Sequence, residues 1–230
     1  MKDIGDRMKR NYESRARFCL TRRTPVVIRV DGRAFHTFTR GFDRPFDRRI
    51  MLAMVHAAQT LFEDAQGAKL AYVQSDEISV VLTDYDTLQT DAWFDYNVAK
   101  LCSISASLVT RAFNKAIIYP DEATRYPSGA MFDARCFNIP EEEVANYFLW
   151  RALDWKRNSI SMFASTFFSH NEMHGKHSSD LHEMLHEIGK NWTTDLTPQE
   201  KNGTFVYKNG TCHCQPDYEA IARLFEKELS

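Results

Sequence analysis

Between residues 26 and 137 the hydrophobic period switches in a set order: strand, helix, strand, strand, helix, strand. Residues 25–30 (Pro-Val-Val-Ile-Arg-Val) are short and dense in β-branched side chains, which predicts a buried strand ending at Asp31-Gly32. Residues 47–65 place Ile50, Met51, Met54, Val55, Ala58, Leu61 and Phe62 at helical spacing and stop at Gly67. Two short strands follow at 69–74 and 78–83. They read as a hairpin whose turn, Ser75-Asp76-Glu77, carries two carboxylates. A long amphipathic helix is expected over 91–114, a short strand over 116–119, a surface loop over 120–129 and another strand over 131–139. This order is the split βαβ pattern of ferredoxin-like antiparallel sheets, which is also the layout of a polymerase palm. The predicted fold class is therefore α+β, a palm-like sheet with flanking helices.

The flanks are helical by the same criterion. Residues 3–22 predict one basic helix, with Ile4, Met8, Tyr12, Ala16 and Cys19 as its apolar stripe. Pro140 followed by Glu141-Glu142-Glu143 is a strong helix start, with acids at the positive end of the dipole. That helix is expected to run towards Trp155, with further helices over 158–168, 179–188 and 216–229 and a hairpin from 204–207 to 211–213. The expected organisation is a palm-like catalytic part over 1–139 and a helical C-terminal part over 140–230, packed together as one structural unit.

Charge qualifies the choice of partner. The chain has 29 basic and 31 acidic residues, a net of -2, which taken whole argues against a polyanion. The first 49 residues, however, carry 14 Lys/Arg against 6 Asp/Glu, and the remaining 181 carry 15 against 25. The basic excess is thus concentrated at the N-terminal end, where Arg7, Lys9, Arg10, Arg15, Arg17, Arg22 and Arg23 suit a phosphate track or, equally, a solvated face. Met1 to Arg10 is charged rather than signal-like, and no apolar run reaches the roughly 18 residues of a membrane span. Five scattered cysteines, an odd number, fit free thiols in a reducing cytoplasm. Cys212-His213-Cys214 is too tightly spaced for a usual zinc knuckle. His170, His174, His177, His182 and His186 include two i,i+4 pairs that fit a metal or, more simply, a solvated or RNA-facing surface.

The chemistry-bearing signal is at the strand ends. In a split βαβ sheet the first strand lies beside the hairpin, so Asp31 and Asp76-Glu77 can converge across one strand spacing, roughly 5 Å. Acids that close repel unless a cation neutralises them, and oxygen-only ligands favour Mg²⁺. Two such ions would activate an attacking hydroxyl and stabilise a departing pyrophosphate. Spacing alone also fits ordinary turn aspartates. Gly32-Arg33-Ala34-Phe35-His36 adds backbone donors, a guanidinium and two rings, suited to triphosphate and base contacts or to a plain surface loop.

Val26-Val27-Ile28-Arg29-Val30-Asp31-Gly32-Arg33-Ala34-Phe35-His36, together with Tyr72-Val73-Gln74-Ser75-Asp76-Glu77, resembles the tRNA-His guanylyltransferase family, and the similarity extends from about residue 5 to at least residue 215. The resemblance implies a palm fold and nucleotide addition in the 3′-to-5′ direction at RNA 5′ ends. It implies that Asp31 and Asp76 hold two Mg²⁺ ions with the backbone carbonyl of Gly32, that Glu77 is a third catalytic acid, and that Asp31 to His36 with Ser75 and Asp76 contact the nucleotide. It further implies ATP and GTP as activating and incoming nucleotides, tRNA as partner, no membrane, and a homotetramer.

Eukaryotic members carry His-Ile-Asn-Asn-Leu-Tyr-Asn where this chain has Lys156-Arg157-Asn158-Ser159-Ile160-Ser161-Met162. Only Asn158 and Ile160 line up. In this the chain resembles bacterial, archaeal and phage-type members, which implies template-dependent repair of 5′-truncated tRNAs rather than addition of one unpaired G to tRNA-His. Arg151, Lys156, Arg157 and Asn158 then become candidate RNA contacts, against the plainer reading of a solvated helix face. Two other functions fit the same sheet: a nucleotide cyclase, also a two-carboxylate, two-metal enzyme, and a non-catalytic RNA-binding module.

Overall fold

Three consecutive β-branched residues, Val26, Val27 and Ile28, are completely shielded from solvent, as a strand covered on both faces requires. The computed structural model describes residues 2–121, 129–215 and 217–225. In chain order the elements are α1 (Lys2–Asn11), β1 (Val26–Gly32), α2 (Phe35–Phe38), α3 (Arg48–Asp64), β2 (Ala68–Gln74), β3 (Glu77–Leu82), α4 (Val98–Ala116), β4 (Phe132–Asn138) and α5 (Val144–Ala164). They continue with α6 (His170–Met173), α7 (Ser178–Glu187), α8 (Trp192–Asp195), α9 (Pro198–Asn202), β5 (Thr204–Tyr207), β6 (Cys212–His213) and α10 (Tyr218–Arg223).

The six strands form one sheet in the order β4-β1-β3-β2-β5-β6, each neighbouring pair antiparallel. The first four follow the split βαβ order, and β5 extends the sheet beyond β2. Alternation then sorts side chains between two cores. Val26, Ile28 and Val30 pack with α3 and α4, whereas Val27, Leu70, Tyr72, Val81 and Phe205 pack beneath α5 and α10. Burying each such side chain contributes roughly 1.5–3 kcal/mol. A third cluster, including Ile160, Phe163, Leu181, Leu185 and Trp192, joins the C-terminal half of α5 to α7 and α8. None of the described helices is long and apolar enough to cross a membrane.

Several local expectations are corrected. The N-terminal helix ends at Asn11 rather than 22, and a 3-10 turn follows at Glu13–Ala16. Residues 18–20 instead run extended against the start of α4: Val98 N donates to Phe18 O (2.9 Å) and Leu20 N to Tyr96 O (3.0 Å). The helix expected from 91 begins at Val98, where the Asn97 side chain accepts from Lys100 N. Phe94, Asp95 and Tyr96 before it take left-handed φ of 52°, 54° and 50°, a conformation no helix can propagate. Helix α4 itself runs through Ala116, and residues 117–119 form no strand. Residues 122–128 of the expected loop, and residues 216 and 226–229 of the expected last helix, lie outside the described residues. The two helices expected between 140 and 168 are one, α5, after a 3-10 turn at Glu141–Glu143.

Candidate active site

Antiparallel pairing of β1 with β3 sets Asp31 opposite Glu77, and pairing of β2 with β3 sets Gln74 opposite Glu77. The hairpin turn is therefore the two residues Ser75 and Asp76, with Glu77 already in the strand. This corrects the three-residue turn read from the sequence and moves Glu77 away from the tip. Ser75 holds a left-handed φ of 48°, a non-glycine strain of about 1–3 kcal/mol of the kind that persists where surrounding structure enforces it. Gly32 N donates to Asp76 O (3.1 Å), which locks the end of β1 to the hairpin tip.

The Asp76 carboxyl is pushed up to about 6, first by burial and then by the negative charges of Asp31 and Glu77, against the hydrogen bond from Ser75. A polar group held among like charges in this way is what a cation would relieve. Asp31 is half-buried, and Arg135 on β4 lies 3.7 Å from its carboxylate. No cluster of three or more His, Cys, Asp or Glu in metal-holding geometry occurs among the described residues. The local donors are two carboxylates and backbone oxygen, all hard ligands of the type and number that Mg²⁺ takes before water and phosphate complete its shell.

Beside this corner lies a cavity of about 900 Å³, lined by Gly32, Ala34, Phe35, His36, Ser75 and Asp76 among the expected site residues. Asp31, Arg33 and Glu77 are not on its wall. Arg33 is exposed, its backbone N–H donating to Met131 O (2.8 Å). Ala34 takes left-handed φ of 49° and starts the four-residue α2, which presents His36 to solvent. Phe35 is mostly spoken for: its ring packs against Phe38, Phe113 and Phe132 at 5.1, 5.6 and 5.8 Å. The remaining wall was not singled out by sequence. It comes from the segment 43–47, from Met51 and Met54 of α3, from Trp155 and Met162 of α5, and from Gln199, Gly203 and Thr204. No short motif joins these segments; tertiary packing does.

Glu77 and Arg151 take different places from those expected. Glu77 is 6% exposed and Arg151 4%. Arg151 Nε and Nη2 donate to the two Glu77 carboxylate oxygens, both at 2.8 Å, and Arg29 Nη2 reaches Oε2 at 2.6 Å. Burial works to lower the Arg151 pKa, but the hydrogen bond and charge of Glu77, with Asp154, leave it raised. Arg151 is thus a buried brace behind the sheet and not a face for RNA, which is the correction to its expected role. The Glu77 carboxylate is filled by two guanidiniums and stands one residue inside the strand. Lys156, Arg157 and Asn158, by contrast, are exposed on α5. Lys156 lies over the Trp192 ring (5.6 Å) and Arg157 pairs with Asp154.

His182 packs edge-on to Trp192 at 5.7 Å, the rings of His170 and His174 are 6.2 Å apart, and His177 caps α7. Cys212 Sγ accepts from Gln59 while His213 packs on Tyr207.

Residues 5–140 match the family model described as tRNAHis guanylyltransferase. A bacterial tRNA(His) guanylyltransferase-like protein in complex with ATP shares 38% identity and a TM-score of 0.87 over 97% of this chain and 99% of its own. A bacterial tRNA(His) guanylyltransferase-like protein in complex with GTP matches with a TM-score of 0.78 and 35% identity, over 97% and 99%. The tRNA(His) guanylyltransferase of Debaryomyces hansenii is 29% identical over 206 residues, 82% of this chain and 72% of that protein.

Proposed function

This chain belongs to the tRNA-His guanylyltransferase family and is therefore a nucleotidyltransferase; on that premise we propose that it extends tRNA 5′ ends in the 3′-to-5′ direction, copying the opposite strand to repair truncated molecules. The observation that carries the repair reading is the exposed Lys156-Arg157-Asn158 turn of α5, where the eukaryotic His-Ile-Asn-Asn stretch is missing. Greater identity to the bacterial proteins than to the Debaryomyces hansenii protein supports the same side. Obligatory addition of one unpaired G to tRNA-His is the second reading, favoured by the names of the eukaryotic relatives.

The reaction has two steps. A 5′-monophosphate oxygen of the RNA attacks the α-phosphate of ATP, forming a new P–O–P bond and releasing pyrophosphate. The 3′-hydroxyl of the incoming nucleoside triphosphate then attacks the RNA 5′-phosphorus, and AMP leaves as the proton of that hydroxyl is lost. Neither step needs a covalent enzyme nucleophile, so the cysteines take no part. The cavity beside Asp76 receives nucleoside triphosphate, with the backbone around Gly32, Ala34 and His36 and the Ser75 hydroxyl as phosphate-side contacts. Asp31, Asp76 and the Gly32 carbonyl are the groups that would hold two Mg²⁺ ions, which when bound supply charge neutralisation on the phosphoryl oxygens and activation of the attacking hydroxyl. Ser75 and the Gly32 amide fix where the Asp76 carboxylate stands. Glu77 with Arg29 and Arg151 holds the base of the hairpin, a positioning role in place of a ligand role. The sheet acts as a polymerase-type palm over residues 1–139, with 140–230 packed on it, and tRNA runs along the exposed basic residues of a homotetramer in the cytoplasm.

Gly32 gives a sharp local test. A Cβ there would stand 2.8 Å from Asp76 Oδ2, 2.9 Å from Asp76 Cβ and 2.6 Å from Phe35 Cδ2. Phe35 is wedged among other rings, so Asp76 must yield. Gly32→Ala is expected to lower nucleotide addition by at least about 10²-fold, the scale of an ångström misplacement, with nucleotide addition to 5′-labelled RNA as the assay.

The functional reading is tested with 5′-monophosphorylated tRNA lacking its first nucleotide, offered each nucleoside triphosphate in turn opposite each template base. Repair predicts extension by the complementary nucleotide alone, continuing until the acceptor stem is full. Equal addition of G opposite every base would transfer the assignment to the second reading.

A further inference from the structure

Two thiols that nucleotidyl transfer does not use stand side by side at the edge of the sheet. Cys102, near the start of α4, and Cys136, in β4, are 34 positions apart in sequence, yet their Sγ atoms lie 3.7 Å from each other. Both are half-buried free thiols.

The fold sets this meeting. Cys136 lies opposite Ile28 of β1 and, with Ala134, packs against the core that Val26, Ile28 and Val30 share with α3 and α4. Alternation turns Arg135 to the opposite face, where it lies 3.7 Å from Asp31. Helix α4 buries Leu101 and Ser105 in the same core and leaves Cys102 at its rim. A disulfide needs its sulfurs about 2.05 Å apart, so the pair has about 1.7 Å to close. Strand β4 is at the edge of the sheet and bonded to β1 alone, so it yields more easily than an interior strand.

We propose that Cys102 and Cys136 are an oxidisable pair, a modification site at which a small disulfide such as glutathione disulfide closes a bond between α4 and β4. Burial, and then the neighbouring Cys102, push the Cys136 thiol up to about 12, so Cys136 is a poor first nucleophile at neutral pH. The Cys102 thiolate attacks one sulfur of glutathione disulfide, forming a mixed disulfide and expelling one glutathione. Cys136 then gives up its proton and attacks the Cys102 sulfur. The bond from Cys102 to glutathione breaks, and the second glutathione leaves. Two electrons and two protons pass from the protein to glutathione disulfide, which ends as two molecules of glutathione. In a reducing compartment the pair rests as thiols, and the bond forms when the disulfide form of the buffer accumulates. Once formed, it ties the edge strand that carries Arg135, the neighbour of Asp31, to α4.

The test equilibrates the full chain with glutathione disulfide at rising ratio to glutathione. The samples are quenched in acid, alkylated with a maleimide, digested and mapped by mass spectrometry. The expected product is one peptide pair, Cys102 joined to Cys136, which dithiothreitol separates and which neither Cys102→Ala nor Cys136→Ala yields. Closing this loop is expected to lower the unfolding equilibrium constant on the order of 10²-fold. That change is read as a higher urea midpoint of the oxidised wild type, with no such rise for Cys102→Ala in the same buffer. Recovery of both cysteines as maleimide adducts at high glutathione disulfide, the result if they are only two small apolar residues in contact, overturns the proposal. So does a lasting glutathione adduct on Cys102, which would show that Cys136 does not reach it. A bond from either cysteine to Cys19, Cys212 or Cys214 in place of its neighbour overturns it as well.

Discussion

Asp76→Asn is expected to reduce nucleotide addition on the order of 10³-fold, because it removes one of two carboxylates around the reacting phosphates while keeping shape and hydrogen bonding. The same change has an opposite effect on stability. The Asp76 pKa is raised from 3.8 to about 6 in the fold, chiefly by burial and then by Asp31 and Glu77. An acid with a raised folded pKa imposes no penalty below pH 4, where folded and unfolded chains are both protonated. The penalty grows as pH rises from about 4 to 6 and is complete above, since the unfolded chain releases its proton first. The full shift corresponds to at most about 3 kcal/mol, and partial exposure of the group reduces it to roughly 1–2 kcal/mol. In metal-free buffer the asparagine protein should therefore gain on wild type between pH 4 and 7, measured as the difference in urea midpoints at each pH. A constant difference across that range would show that burial and its neighbours do not raise the Asp76 pKa in the fold.

Arg151→Ala carries the largest expected loss of stability. It strands the Glu77 carboxylate behind the sheet with only Arg29 to pair it, and removal of one partner from a buried ion pair costs about 3–5 kcal/mol. The retained Arg29 contact places the expectation near about 3 kcal/mol, read by urea unfolding. Arg151→Lys should recover only part of this, since an ammonium cannot span both carboxylate oxygens. An RNA-contact role predicts the reverse pattern: weakened, salt-dependent tRNA binding with unchanged stability. The two roles are thus separated by two simple measurements on one variant.

The contrast between Asp76 and Arg151 marks where sequence reasoning reaches and where it stops. The strands around Asp31 and Asp76 are legible because buried strands are short, β-branched and bounded by turns, so the acids at their ends are visible as ends. Glu77 was misplaced because a two-residue and a three-residue turn look alike in sequence, and a one-residue difference in register decides whether a side chain sits at the tip or in the strand. Arg151 was misplaced because periodicity marks which face of α5 is apolar but not which charged residue on it meets a buried acid from a strand 74 residues away. Residues 3–22 show the converse: an amphipathic stripe does not say where a helix stops, and at residues 18–20 the backbone around residues 96–98 offers extended pairing instead. The cavity wall at Phe46, Trp155, Met162 and Gly203 has no local signature, because three separate segments meet there only after the sheet and α5 are assembled.

The central claim is that the carboxylates at the ends of β1 and the β2–β3 hairpin are the cation-holding centre of nucleotidyl transfer. The most direct measurement is anomalous diffraction at the manganese edge from crystals grown with Mn²⁺ and a non-hydrolysable nucleoside triphosphate. The account predicts anomalous density at the Asp31 and Asp76 carboxylates and the Gly32 carbonyl, with Glu77 still paired to Arg29 and Arg151. Density at Glu77 with its arginines displaced, or none beside Asp76 while nucleotide occupies the cavity, would contradict it.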